Sequence, residues 1–381
     1  MNFKYLTEYI DGLYETEGIP SSDIVVYKKG KEKYIHTTGY QNVSSGEPRR
    51  RDALFFVYSA SKLITVTAVM QLLERGKILL HDKVYKYLPE FKEMTVRVKD
   101  ANGEETTVPA RKPIRIWNLL TMTSGLPYNM KAPEILACMA EHDGAPSTAD
   151  IVRAFAKRPL SFEPGEHWMY GFSHDVLARL VEVVSGQSFG EYVKQNIFDP
   201  IGMKNSYYHL TDDLIPRMAT QYRFDNELGK AVDVGLKNDH IFGPRFESGG
   251  AGCISCLDDY ILFAETWTHK GVAPNGNRIL ASRTVDLIRT DCLDEKTRPD
   301  FNWDAFVGYG YGFGVRTLVS NAKGGTISTP GDFGWGSATG CYIHSDPEEE
   351  ISIVYMQHML NNKEPIVHPR LRNLVYSALE Y

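Results

Sequence analysis

The fold turns on residues 55–76, Phe55-Phe-Val-Tyr-Ser-Ala-Ser-Lys-Leu-Ile-Thr-Val-Thr-Ala-Val-Met-Gln-Leu-Leu-Glu-Arg-Gly76. After Lys62, the residues Leu63, Ile64, Val66, Ala68, Val69, Met70, Leu72 and Leu73 cover nearly the whole circumference of a helix, the pattern of a helix buried on every side. Its N-terminus must satisfy free N–H donors inside the protein and focuses positive potential there. Ser59 stands at that end, and Lys62 projects from the same face one turn on, within reach of its hydroxyl. Burial and the positive helix end both disfavour a charged amine, so a fraction of Lys62 is expected to be neutral near pH 7, and a neutral amine is a base. The stretch then holds a nucleophilic hydroxyl, a base and a backbone N–H for a developing oxyanion. On spacing alone, an N-capping serine and a lysine whose head reaches solvent fit equally well. A second copy, Ser320-Asn-Ala-Lys323, runs into Gly324-Gly325 and reads as an exposed turn.

Outward from this helix, both chain ends are rich in strand signals. Residues 22–42 read as a hairpin around Lys28-Lys-Gly-Lys31, and strands are expected over 311–319, 340–344 and 351–357. Between them the pattern is helical, as in Asp175–Val184, which Ser185-Gly186 stops. One excursion, Val96–Val108, alternates around Asn102-Gly103 and predicts a hairpin. Amphipathic patterns at the start and over Leu371–Leu379 predict terminal helices that cover one sheet face. The expected fold class is therefore α+β. An antiparallel sheet is built from residues 1–65 and 245–381, and a mainly helical region, 66–244, is inserted between them.

Composition narrows the function classes. With 381 residues and 43% of them hydrophobic, a sizeable core is available for two to three units. Net charge is −6 with both signs interspersed, which argues against a nucleic-acid partner or a membrane-surface role. No secretory signal and no apolar run long enough for a membrane span are visible. Five cysteines, an odd number, fit reduced thiols in a cytoplasm. Cys253-Ile-Ser-Cys256 has redox or half-zinc spacing, but no second pair completes a ligand set, and it reads as two small buried residues entering a helix. No metal or cofactor is expected.

The flanks of the opening stretch make a resemblance specific. Phe55-x-x-x-Ser59-x-x-Lys62 is followed by Leu73-Glu-Arg-Gly-Lys-Ile-Leu-Leu-His-Asp82 and Tyr87-Leu-Pro-Glu-Phe91. Then come, in order, Ile116–Pro127, Glu163-Pro-Gly-Glu-His-Trp-Met-Tyr-Gly-Phe-Ser173, Phe198–Met203, Ser248-Gly-Gly-Ala-Gly252 and Gly331-Asp-Phe-Gly-Trp-Gly336 before Asp346-Pro347. Over roughly residues 20 to 360 this order resembles the serine β-lactamase-like family: class C β-lactamases, D-alanyl-D-alanine peptidases and family VIII carboxylesterases. The resemblance implies a flanked antiparallel sheet with an inserted helical domain and an acyl-enzyme mechanism at their junction.

By that resemblance Ser59 is the nucleophile, Lys62 its base partner and Tyr170 the proton shuttle. A phenol is a weak acid, so such a shuttle needs a positive charge nearby, which a protonated Lys62 would supply; the sequence leaves open which of the pair is deprotonated at rest. The implied oxyanion hole pairs the N–H of Ser59 with that of Trp335, and Gly334 and Gly336 let an acyl group approach the backbone. Where β-lactamases and the peptidases open this motif with Lys or His, Asp332 stands here. Facing the site, it would repel substrate carboxylates; a register off by one would turn it away. Tyr170-Gly171-Phe172 also lacks the amide of the β-lactamase Tyr-x-Asn. Gly334-Trp-Gly336 in the third motif and Tyr170-Gly-Phe-Ser173 in the second resemble the carboxylesterase branch, with Tyr128, Trp168, Phe172 and Trp335 as walls of an apolar acyl pocket. Met122 replaces the family histidine, with an effect expected on packing.

Other hydrolase designs are missing. No Gly-x-Ser-x-Gly elbow and no His-Glu-x-x-His occur, and the consecutive Ser173-His174-Asp175 would point about 100° apart on a helix. The expected function is a serine hydrolase acting on a small-molecule ester or amide, most simply a carboxylesterase. The alternatives are a β-lactamase, D-peptidase, amidase or transacylase on the same fold, or a non-catalytic ligand-binding protein.

Overall fold

Lys29 and Gly30 both have positive φ, 54° and 68°, the conformation a two-residue hairpin turn requires. They join β1 (Ser21–Lys28) to β2 (Lys31–Asn42) as the sequence predicts. The structure, a computed structural model, describes every residue except Ala101 and Tyr381. Adding β3 (Glu47–Pro48), β4 (Tyr309–Tyr311), β5 (Arg316–Leu318), β6 (Phe333–Gly336), β7 (Tyr342–Asp346) and β8 (Ile351–Met356) gives an eight-stranded antiparallel sheet in the order β4-β5-β6-β7-β8-β1-β2-β3. The two ends of the chain meet where β8 pairs with β1, Val354 opposite Val25. The predicted single strand 311–319 is instead two strands, because Gly314 takes φ +68° and the chain doubles back.

Period-two alternation assigns the two faces. Ile24, Val26, Ile351, Ile353 and Tyr355 join Leu6, Ile10, Leu371 and Val375 in one buried layer. This layer packs the sheet against α1 (Lys4–Glu17) and the C-terminal α5 (Glu364–Glu380). Val25, Val354 and Met356 point the other way, into the main core. There α4 (Leu257–Thr268) lies on the sheet, with Trp267 stacked on Phe333 at 5.3 Å between ring centroids. Cys256 immediately precedes α4, and burial pushes its thiol up to about 12, away from reactive thiolate character.

Helix α2 (Ser61–Glu74) runs through that core, with every residue from Ser61 to Leu72 buried. Each buried Leu, Ile, Val or Met contributes about 1.5–3 kcal/mol. Their sum exceeds the several kcal/mol that desolvating one amine costs, so Lys62 is carried inside by its neighbours. The helix continues unbroken through 65/66, so the proposed edge of the inserted region is not a break between elements. Against α2 packs α3 (Ser173–Ser185), ended by Gly186 at φ +75°. The excursion is a hairpin of Thr95–Lys99 with Glu105–Pro109, Val96 opposite Val108, although residue 101 within it lies outside the described residues. Among the described residues, no helix is long and apolar enough to cross a membrane.

Candidate active site

Ser59 occupies a single 3₁₀ turn, Tyr58–Ala60, that feeds directly into α2. The residue before it is held in the left-handed region: Tyr58 has φ 43°, a conformation that costs a non-glycine residue on the order of 1–3 kcal/mol. The buried phenol of Tyr58 anchors this turn, donating to Gln221 Oε1 and to the Lys237 carbonyl, each at 3.1 Å. Nothing in the sequence pattern signals this strain, which is set by contacts remote in the chain.

Lys62 is fully buried, and its Nζ donates to Ser59 Oγ at 3.3 Å and to the Gly250 carbonyl at 2.8 Å. The Gly250 carbonyl is itself fixed. Asp175 Oδ1 accepts from Ser248 Oγ at 2.5 Å and from the Gly250 N–H at 3.1 Å, so the Ser248–Gly252 loop hangs from the first turn of α3. Burial raises the Asp175 carboxyl above its usual range, with the hydrogen bonds and Lys62 opposing. The three consecutive residues of α3 go to three places. Ser173 Oγ pairs with Ser124 Oγ at 2.8 Å, Asp175 holds the loop, and His174 finds no hydrogen-bond partner among the described residues. Burial, and then the Lys62 charge, push the His174 imidazole well below its ordinary value, so it stays neutral.

Tyr170 presents its ring to the amine, with Lys62 Nζ 4.5 Å from the ring centroid. The Tyr170 hydroxyl accepts from the Trp335 indole N–H at 3.3 Å, and the two rings stack with centroids 5.8 Å apart. Its segment is positioned by Met122, whose carbonyl accepts from the Met169 N–H at 2.9 Å with Met122 itself at φ 57°. Gly171 is required because a Cβ there would run into the Leu126 carbonyl. On β6, pairing with β5 ends at Phe333 and Gly334, so Trp335 and Gly336 have no strand partner on that edge.

A cavity of about 210 Å³ opens between these elements. Ser59, Tyr170, Tyr128, Trp335 and Gly336, all named in the sequence analysis, line it. His240, Trp303, Phe306, Ser337, Ala338 and Glu364 also line it, and sequence reasoning missed all six. Ser337 and Ala338 directly follow the Gly331–Gly336 motif, whereas His240, Trp303, Phe306 and Glu364 arrive from loops, a 3₁₀ turn and the start of α5, outside any motif. Burial carries the Tyr128 phenol well above its usual range. His240 is pushed down to about 4, by burial first and by Lys62 second.

Four expected substrate contacts lie elsewhere. Asp332 is fully buried on the opposite face of the sheet. Phe333 and Trp335 point into the main core, so alternation turns Asp332 and Gly334 toward α5. There Asp332 accepts from Ser328 Oγ at 2.5 Å. Burial raises its carboxyl to about 6 against the opposing charges of Arg316 and Arg372. The expectation that Asp332 faces the substrate is therefore corrected. Trp168 and Phe172 are core residues, the one edge-on to Phe301 at 4.9 Å and the other stacked on Phe155 at 4.2 Å. Gly334 lies against the β7 backbone, where a Cβ would meet the Ile343 carbonyl.

A sequence model of the family described as Beta-lactamase matches residues 6–377. Protein Rv1367c of Mycobacterium tuberculosis is 31% identical over 341 residues, spanning 88% of this chain and 84% of that protein. Esterase EstB of Burkholderia gladioli is 29% identical over 344 residues, spanning 84% and 80% of the two chains. Among solved structures, EstCE1, described as a hydrolase with promiscuous acyltransferase activity, superposes with a TM-score of 0.77 at 23% identity, covering 100% of this chain and 98% of its own.

Proposed function

The chain belongs to the beta-lactamase family, and from that premise we propose that it is a serine hydrolase of the carboxylesterase type, forming an acyl-enzyme on Ser59. The observation that carries this reading is the fully buried amine of Lys62, 3.3 Å from a serine hydroxyl that lines a cavity. In this reading Ser59 Oγ attacks the ester carbonyl carbon and its proton passes to the Lys62–Tyr170 pair. The carbonyl oxygen becomes an oxyanion held by the N–H groups of Ser59 and Trp335. The bond to the alkoxide breaks, the alcohol leaves with the proton returned by the pair, and water repeats the sequence to release the acid. Tyr128, Trp335 and Gly336 bound the substrate, and the reaction calls on no metal or cofactor. The free state of all five cysteines supports a cytoplasmic setting.

Acyl transfer to an alcohol is the second reading. The wall of aromatic rings favours it, since it offers a hydrolytic water few partners, and so does the acyltransferase activity named for EstCE1. A fluorophosphonate adduct tests the shared step: mass spectrometry is expected to place it on the peptide containing Ser59. An adduct on another residue, or none, rejects the assignment. Adding an alcohol during turnover of a nitrophenyl ester then separates the two readings by whether acid or new ester accumulates.

A further inference from the structure

Asp332 does not supply negative charge to the cavity, but Glu364 does. It is the first residue of α5, where the helix N-terminus favours a carboxylate, and its side chain is 24% exposed along the cavity wall. Gly336 leaves the room it needs: a Cβ there would stand 2.7 Å from Glu364 Oε1. Among the described residues, no Lys or Arg comes within 4.0 Å of this carboxylate, and its one basic neighbour is His368, with Nδ1 at 3.6 Å. Arg316 and Arg372 line a much smaller adjoining pocket, and Glu364, Phe306 and Gly336 border both it and the cavity. Arg372 donates to Thr326 Oγ1 and the Tyr342 hydroxyl, and the Arg316 guanidinium lies 4.6 Å from the Tyr342 ring centroid. Both also face Asp332.

Around Glu364 the cavity is aromatic. Phe306 packs on Trp335 at 5.2 Å and on Trp303 at 5.5 Å, and Trp303 lies 5.6 Å from Tyr170. Trp303 is 41% exposed, which places it at the mouth. Several ring faces and one carboxylate, with few other polar groups, recognise a cation that is too weakly hydrated to need hydrogen bonds, an alkylammonium. We propose that Glu364, with Trp303, Phe306 and Trp335, forms a subsite for an alkylammonium group, so that the cavity prefers amino-alcohol esters over their neutral isosteres. The subsite deepens the esterase reading and rests on it for turnover, though not for binding.

The test separates the two. On the Ser59→Ala protein, choline and its neutral isostere 3,3-dimethylbutan-1-ol are titrated at matched ionic strength while tryptophan fluorescence is followed. Choline is expected to bind about tenfold more tightly. Glu364→Gln is expected to bring the ratio toward one, and Trp303→Leu, a change at an exposed side chain, to reduce it severalfold. Equal affinities in the parent, or a ratio that neither substitution moves, overturns the subsite. The wild-type kcat/KM ratio for butyrylcholine over 3,3-dimethylbutyl butyrate should follow the binding ratio. Hydrolysis without discrimination removes the subsite and keeps the esterase. Discrimination in binding with neither ester cleaved removes the esterase and keeps the subsite.

Discussion

The chain carries Ser-x-x-Lys twice, and the two copies differ in everything but spacing. At Ser59 the lysine is fully buried at the head of an apolar helix and donates to both the serine hydroxyl and a carbonyl held by a buried carboxylate. At Ser320 the serine caps the short helix Asn321–Gly324, accepting from the Lys323 N–H at 3.4 Å, while the Lys323 side chain stands in solvent. Spacing decides only that two residues share a turn. The surroundings decide whether hydroxyl and amine are coupled, because water screens an exposed amine and leaves a buried one to its few neighbours.

The largest expected contrast is in turnover. Ser59→Ala should lower kcat for a short-chain nitrophenyl ester by about 10³-fold or more, the scale on which nucleophile deletions act. Ser320→Ala removes only a helix cap, costing about 0.5–2 kcal/mol of local stability, and should leave kcat within about twofold. Comparable losses at the two sites would abolish the distinction and, with it, Ser59 as nucleophile.

Lys62→Met against Lys323→Met sharpens the contrast by setting activity against stability. Removing the buried amine should cost about 10²–10⁴-fold in kcat, the range of a general base. The same change relieves a desolvation penalty of several kcal/mol while depriving Ser59 Oγ and the Gly250 carbonyl of a donor, about 1–3 kcal/mol. Thermal unfolding should therefore show a midpoint at or above that of the parent. The surface variant should change neither kcat nor stability, the latter by no more than about 0.5 kcal/mol. A Lys62→Met protein that unfolds readily would recast Lys62 as a structural tie.

The same contrast explains what could be read in the sequence. Helix α2, the β1–β2 hairpin and the pairing of chain ends follow from apolar periodicity and turn chemistry, which are local. Ser59, Lys62, Tyr170 and Trp335 lie in ordered motifs that mark their neighbourhoods. Asp332 went astray because strand alternation is visible in sequence only when both faces differ in polarity, and Asp332-Phe-Gly-Trp-Gly336 puts two glycines on the face that packs against α5. Glu364 and His240 have no local signature at all. They enter the cavity because α5 and the 237–240 loop pack beside Gly336 and Tyr128, which no window of sequence contains.

The smallest expected effect is electrostatic and is read at His240. His240 lies edge-on to Tyr58 at 5.6 Å between ring centroids, and its imidazole is held down to about 4 by burial and then by the positive charge of Lys62. Deleting that charge in Lys62→Met should move the His240 midpoint upward. It should stop short of the free value of about 6.5, since burial, the larger cause, remains. The sign carries through to stability. A histidine depressed in the folded state stabilises it above the unfolded value of about 6.5 and loses that contribution as pH falls toward about 4. The variant, with a narrower gap, should lose less on acidification. Titrating the ring protons by NMR measures the midpoint directly, and Lys323→Met should not shift it. A His240 that stays at about 4 in Lys62→Met would mean that burial alone sets its midpoint.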